Sequence, residues 1–222
     1  METSMFERMQ SLPLLQGLTM QDFSNLILNM KLDFQQWEEG DIIVNQGDHC
    51  NNLIYIIDGE FEAELHDETT ALILSETCTA TPHLIEPYNL FGVKRSYERS
   101  YVFKTNGSTF SISREFFMQR MLHNNIVRSN YINYLCNNLR KAHIQHKAVP
   151  TDNIESKIKA VIASFCLLPN GEKNVRVKMS DLAALVDETR LNVSNVLNKW
   201  NDHGIIELRR YGFTIKEFGE IK

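Results

Sequence analysis

The chain has 222 residues, 43% of them hydrophobic and 23% charged, with a formal net charge of −5. That is the composition of a folded chain long enough for two modest cores, and it excludes wholesale disorder. No apolar run approaches the roughly 20 residues that a bilayer span needs, and Met1-Glu2-Thr3-Ser4 lacks the basic-then-apolar order of a secretion signal, so the expectation is a cytoplasmic protein with no membrane partner. Lys and Arg number 12 against 18 Asp and Glu in residues 1–149, but 11 against 10 in residues 150–222, so the second part is the better partner for a polyanion.

From Leu32 to about Ile112 the sequence falls into short extended runs separated by turns: Asp41 to Val44, Gln46-Gly47-Asp48, Leu53 to Ile57, Asp58-Gly59. Such spacing, with Gly and Asp at the corners, predicts a β-barrel or jelly roll. Residues 114–147 contain neither Gly nor Pro, which predicts one long helix. Within it Ile132, Leu135, Leu139 and Ala142 recur at spacings of three, four and three, the seam of a helix packed along another, and a homodimer is the expected partner; a helix lying on its own barrel is the alternative. Val149-Pro150-Thr151 interrupts that helix, because proline lacks the amide hydrogen, and marks the domain boundary and a sensible hinge. Asp152 with Glu155 predicts a capping box for a helix ending near Leu168, followed by a turn at Pro169-Asn170-Gly171 and a strand over Val175 to Lys178.

The next stretch carries the most chemistry. Ser180 is predicted to cap a short helix with Leu182, Ala183, Leu185 and Val186 inward, and Asp187-Glu188 to form a turn. Thr189 then caps a second helix whose core face is Val193, Val196, Leu197 and Trp200. Arg190, Leu191, Ser194, Asn195 and Asn198 are left outward. Arginine offers a fork to guanine and asparagine can pair with adenine, so these side chains suit a DNA major groove. After Asn201 to Gly204, the alternation of Ile205 to Arg210, Tyr211-Gly212 and Phe213 to Ile215 predicts a two-stranded wing with Arg209 and Arg210 near its tip.

Leu182-Ala183, Glu188-Thr189-Arg190, Val193-Ser194, Val196-Leu197 and Gly204-Ile205-Ile206 resemble the DNA-reading signature of the Crp/Fnr regulators. Leu12-Pro13-Leu14-Leu15, Glu39-Gly40-Asp41, Gln46-Gly47-Asp48, Ile57-Asp58-Gly59-Glu60 and Leu90-Phe91-Gly92 resemble that family's β-roll, in the same order along nearly the whole chain. The resemblance implies an α+β architecture: a double-stranded β-helix or jelly-roll sensor of the cyclic-nucleotide-binding type over residues 1–113, a dimerisation helix over 114–148, and a winged helix-turn-helix over 149–222. It implies a non-enzymatic transcription regulator that binds double-stranded DNA as a homodimer and has RNA polymerase as a partner. Arg190 would then be a principal base reader, and Ser180, Thr189 and Asn192 phosphate contacts. Lys199, Arg209 and Arg210 complete the expected DNA-binding set. Leu191 stands where the family has a glutamate and Asn195 where it has a second arginine, so the operator should differ from the best-known one.

Ligand-binding members of that family hold a cyclic nucleotide with a Gly-Glu pair and a later Arg-Ser. Here Gly92 is followed by Val93 and Lys94, and Arg99-Ser100 arrives early, so cyclic AMP is expected to bind poorly or not at all. Gly92, Arg99 and Ser100 remain candidates for an unknown small or anionic effector, since arginine can chelate an anion. No cofactor or metal is expected. Cys50, Cys78, Cys136 and Cys166 form no CxxC pair and read as buried free thiols; Cys78 with His83 and His143 with His146 are thin metal or haem patterns. The competing functions are a barrel-type small-molecule signalling protein and a cupin-type enzyme without DNA function. The latter lacks its clustered histidines, because His49, His66, His83 and His123 stand apart, and no Gly-x-Ser-x-Gly elbow supports a hydrolase.

Overall fold

In a computed structural model of the chain, the described residues are 9–10, 12–27, 33–147 and 153–220, with side chains described for 9–10, 12–26, 33–143 and 153–219. Leu32, the boundary at Val149-Pro150-Thr151, the cap at Asp152 and the side chain of His146 lie outside them. After a short helix, α1 (Met20–Ile27), come β1 (Asp33–Trp37), β2 (Ile42–Val44), β3 (Asn52–Asp58), β4 (Phe61–Asp67), β5 (Leu72–Cys78), β6 (His83–Ile85), β7 (Ser100–Phe103) and β8 (Gly107–Ser113). All pair antiparallel. One sheet runs β1-β8-β3-β6, and a second contains β5-β4-β7-β2.

The two sheets share one core because their inward residues alternate: Leu53 and Tyr55 on β3, Phe61 and Ala63 on β4, Tyr101 and Phe103 on β7, Phe110 and Ile112 on β8. Gly47 and Gly59 take positive φ at their turns, which glycine adopts without a Cβ clash. Gly107 is required by crowding instead, since a Cβ there would meet the Phe103 ring at 2.2 Å.

The long helix expected from residue 114 is divided. It comprises α2 (Arg114–Gln119), a 3-10 turn at Met121–His123, and α3 (Asn125–Lys147). The cause is local: Asn124 is extended, and its side-chain oxygen accepts from the amides of Ile126 and Val127, satisfying donors that a new helix start leaves free. The first turns of α3 are anchored on the roll through Val127 and Tyr131, whose hydroxyl donates to the Pro87 carbonyl at 2.8 Å. Beyond them Ile132 and Leu139 stand 51% and 72% exposed, Ala142 is exposed, and Leu135 packs partly against the roll.

The C-terminal residues form α4 (Ile154–Phe165), β9 (Lys173–Arg176), α5 (Met179–Leu185), α6 (Arg190–Asp202), β10 (Ile206–Arg209) and β11 (Gly212–Ile215). Asn153 caps α4 by accepting from the Glu155 amide. The helix stops at Phe165, short of the expected Leu168, and the strand predicted at Val175 begins two residues earlier. A second core gathers Ile158 and Ile162 with Leu182, Val193, Leu197, Trp200, Ile206 and Phe213. The two parts are not separate sheets: β9 pairs with β5, giving one seven-stranded sheet in the order β10-β11-β9-β5-β4-β7-β2. No helix of the described residues is long and apolar enough to cross a membrane.

Candidate nucleic-acid interface

Helix α5 starts at Met179 with extended Lys178 before it, so Ser180 lies inside the first turn rather than at the cap, and its hydroxyl bonds Asp181 at 2.9 Å. Leu182, Ala183 and Val186 are buried and Leu185 half-buried. The turn is tight because Asp187 adopts a left-handed conformation, φ 52°. Thr189 is extended and its hydroxyl accepts from the Asn192 amide at 3.2 Å, the cap expected from the sequence. Val193, Leu197 and Trp200 are buried. Arg190, Leu191, Asn195, Asn198 and Lys199 are exposed, and Asn192 and Ser194 are half-buried.

Two candidates on this face are already engaged. Lys199 Nζ lies 2.8 Å from Glu155 on α4 and holds that carboxyl below its ordinary range. Asn192 donates to Glu188 at 3.3 Å; Glu188 is in turn held low by hydrogen bonds from Lys157, 2.7 Å away, and Asn192. Arg190, with nothing on its own helix competing for it, faces a cleft of about 470 Å³ between α5, α6 and the β10–β11 hairpin. The cleft has an apolar floor of Val177, Leu182, Leu197 and Phe213, and Lys178 and Arg209 also line it.

The hairpin turns at Arg210-Tyr211. Tyr211, not Gly212, takes the positive φ of 66°, and Arg210 stacks its guanidinium 5.1 Å from the Tyr211 ring. Gly212 serves another purpose: a Cβ there would lie 2.1 Å from the Val175 carbonyl of β9. Sequence reasoning thus found the hairpin but not the reason for its glycine, which depends on a neighbour 37 residues away in chain order.

The three effector candidates do not converge. Gly92 is in an exposed loop with φ 99°. Ser100 accepts from the Gln46 amide at 2.9 Å. Arg99 is buried and turned toward the C-terminal part, donating to the Phe165 carbonyl at 2.6 Å with its other nitrogen 3.6 Å from Glu76. His83, at the edge of β6, packs between Phe61 and Tyr101, and burial lowers its imidazole to about 4. Cys78 and Cys166 are both pushed up to about 12, by burial first and by the nearby Glu76 charge second. Among the described residues no three His, Cys, Asp or Glu side chains are grouped to hold a metal.

This arrangement of a roll, a long helix and a small C-terminal helix and hairpin unit is the fold of the Crp/Fnr regulators. The catabolite activator protein of Thermus thermophilus matches with a TM-score of 0.52 at 18% identity, over 95% of this chain and 96% of that one. A putative Crp/Fnr-family regulator from Eubacterium rectale matches with a TM-score of 0.54 at 14% identity, over 95% and 96%. The sensor domain of the regulator DNR from Pseudomonas aeruginosa covers 66% of this chain and 98% of its own, with a TM-score of 0.50 at 13% identity. No family model and no curated protein matches the sequence.

Proposed function

We propose that the chain is a transcription regulator that binds duplex DNA sequence-specifically as a homodimer on a two-fold operator. Residues 149–222 serve as a winged helix-turn-helix, 114–148 as the dimerising segment and 1–113 as a sensor. The observation that carries this reading is the division of α6: Val193, Leu197 and Trp200 fill the core while Arg190, Leu191, Asn195 and Asn198 stand outward beside a basic hairpin. A helix of that polarity with an adjacent cationic ribbon satisfies both needs of DNA recognition, base-edge contact and phosphate contact. The Crp/Fnr fold agrees with it, and the proteins of that fold from Eubacterium rectale and Pseudomonas aeruginosa are named as transcriptional regulators.

Because Arg99 is committed to Glu76 and Phe165, the roll does not offer it to a cyclic nucleotide in this arrangement, which supports an effector other than cyclic AMP. The deciding experiment is selection of bound duplexes from a random pool, followed by a mobility-shift titration. Arg190→Ala should weaken the selected site by about 1–3 kcal/mol and flatten preference at one base pair per half-site. If the wild-type chain selects no sequence, the reading is wrong; if the variant keeps its preference, Arg190 is not the base reader.

A further inference from the structure

The pairing of β9 with β5 places a carboxylate where it gathers both parts of the chain. The register is Ile73 with Arg176, Leu74 with Val175, Ser75 with Asn174 and Glu76 with Lys173. Apolar side chains are exchanged across it: Leu72 and Leu74 of the roll lie in the C-terminal core, and Leu167 and Leu168 pack against the roll. Between them Glu76 and Lys173 are both fully buried, 2.7 Å apart. The Glu76 carboxylate also accepts from the amides of Leu167 and Leu168, and Lys173 donates to the Asn170 carbonyl at 2.7 Å. Arg99 adds its second cation to Glu76 and its hydrogen bond to Phe165.

A buried ion pair is a poor device for stability, since apolar side chains of similar size often hold a protein as well or better. Its advantage here is geometric. Apolar contacts tolerate small changes of angle between two packed units, whereas moving β9 away from β5 would leave Glu76 and Lys173 buried without each other. The groups around Glu76 come from three stretches of chain, the roll at Arg99, the loop at Leu167 and Leu168, and β9 at Lys173, so a single orientation satisfies all of them.

We propose that Glu76, with Lys173 and Arg99, is a positioning latch that fixes the orientation of the C-terminal unit on the roll, and thereby sets where each reading helix stands relative to α3. The consequence for DNA rests on the function proposed above; the latch itself does not. Amide exchange on the full chain, followed by mass spectrometry, separates the two. Lys173→Met should raise exchange in peptides spanning 72–78 and 173–177 at least tenfold while β3, β8 and α6 keep wild-type rates. Lys173→Arg, which keeps a cation, should return the junction to within threefold. Where Lys173→Met does not fold, Glu76→Gln provides the same comparison. Unchanged exchange at the junction, or a rise spread equally through both units, would overturn the latch.

On DNA, the same variant should lose at least tenfold in affinity for the two-fold operator but less than threefold for an isolated half-site, because only the former requires a fixed orientation. Equal losses on both would overturn the positioning role. A wild-type chain that binds neither would defeat the proposed function, with the exchange result still deciding the latch.

Discussion

At the scale of single residues, enclosure matters more than identity. The Nε2 of His83 is buried without a hydrogen-bond partner, and its proton affinity is correspondingly low, near 4 against an ordinary 6.5. The unfolded chain therefore takes up this proton first. Stability is unaffected by His83 above pH 6.5 and falls as the pH drops from 6.5 toward 4, by up to about 3 kcal/mol if the ring stays dry. His83→Phe removes that proton uptake, so its urea midpoint should decline less steeply than wild type over this range; parallel curves would mean that water reaches the ring. Cys78 and Cys166 behave alike: raised to about 12, they hold their protons at neutral pH and should resist alkylation in the folded chain, while exposed Cys136 reacts at once. Rapid labelling of Cys78 would contradict its burial. Such environments were only partly legible in the sequence. The cap at Thr189 was readable because capping is local, whereas the buried role of Arg99 was not, because its partners lie 23 residues upstream and 66 downstream.

Elements show where local signals suffice and where they fail. The polarity of α6 and the hairpin of β10 and β11 follow from periodicity, which each segment carries within itself, whereas β3 is an apolar run buried at four successive residues. The absence of Gly and Pro over residues 114–147 implies one continuous helix, but Asn124, a good capping residue, breaks it before α3. Pairing of β9 with β5 was invisible, since alternation shows which face of a strand is buried but not which strand lies beside it. The half of α3 beyond Tyr131 bears on assembly. Ile132 and Leu139 point away from the roll, against which Tyr134 and Leu135 still pack, and a second copy of the chain is the proposed cover. Ile132→Glu with Leu139→Glu would bury two carboxylates in such a seam, so sedimentation should show a monomer, with the roll's thermal transition preserved because Val127 and Tyr131 are untouched. An unchanged dimer would place the interface elsewhere. Gly212→Ala is the matching prediction for the hairpin: its Cβ would overlap the Val175 carbonyl, and a loss of about 2 kcal/mol or more in denaturant stability is expected.

Across the whole molecule, the net charge of −5 opposes a polyanion, so the proposed DNA binding must rely on cations that are locally free. Several are not: Lys199 is tied to Glu155, Lys157 to Glu188 and Arg176 to Glu64. Lys178, Arg190 and Arg209 line the cleft, Arg209 with only a loose 3.8 Å contact to Glu207, and Arg210 stands at the hairpin tip. If Arg190 reads a base, roughly three cations per protomer remain for phosphates, about six per dimer, and the slope of log affinity against log salt should be near −5. Removing one kind of contact separates the roles. Arg210→Ala deletes two phosphate contacts from a dimer, so it should weaken all duplexes alike and make the slope shallower by about 2. Arg190→Ala should barely change the slope while erasing preference at its base pair. A titration in which Arg190→Ala flattens the slope and leaves preference intact would exchange the two assignments, making Arg190 a phosphate clamp and moving base reading to Asn195 and Asn198.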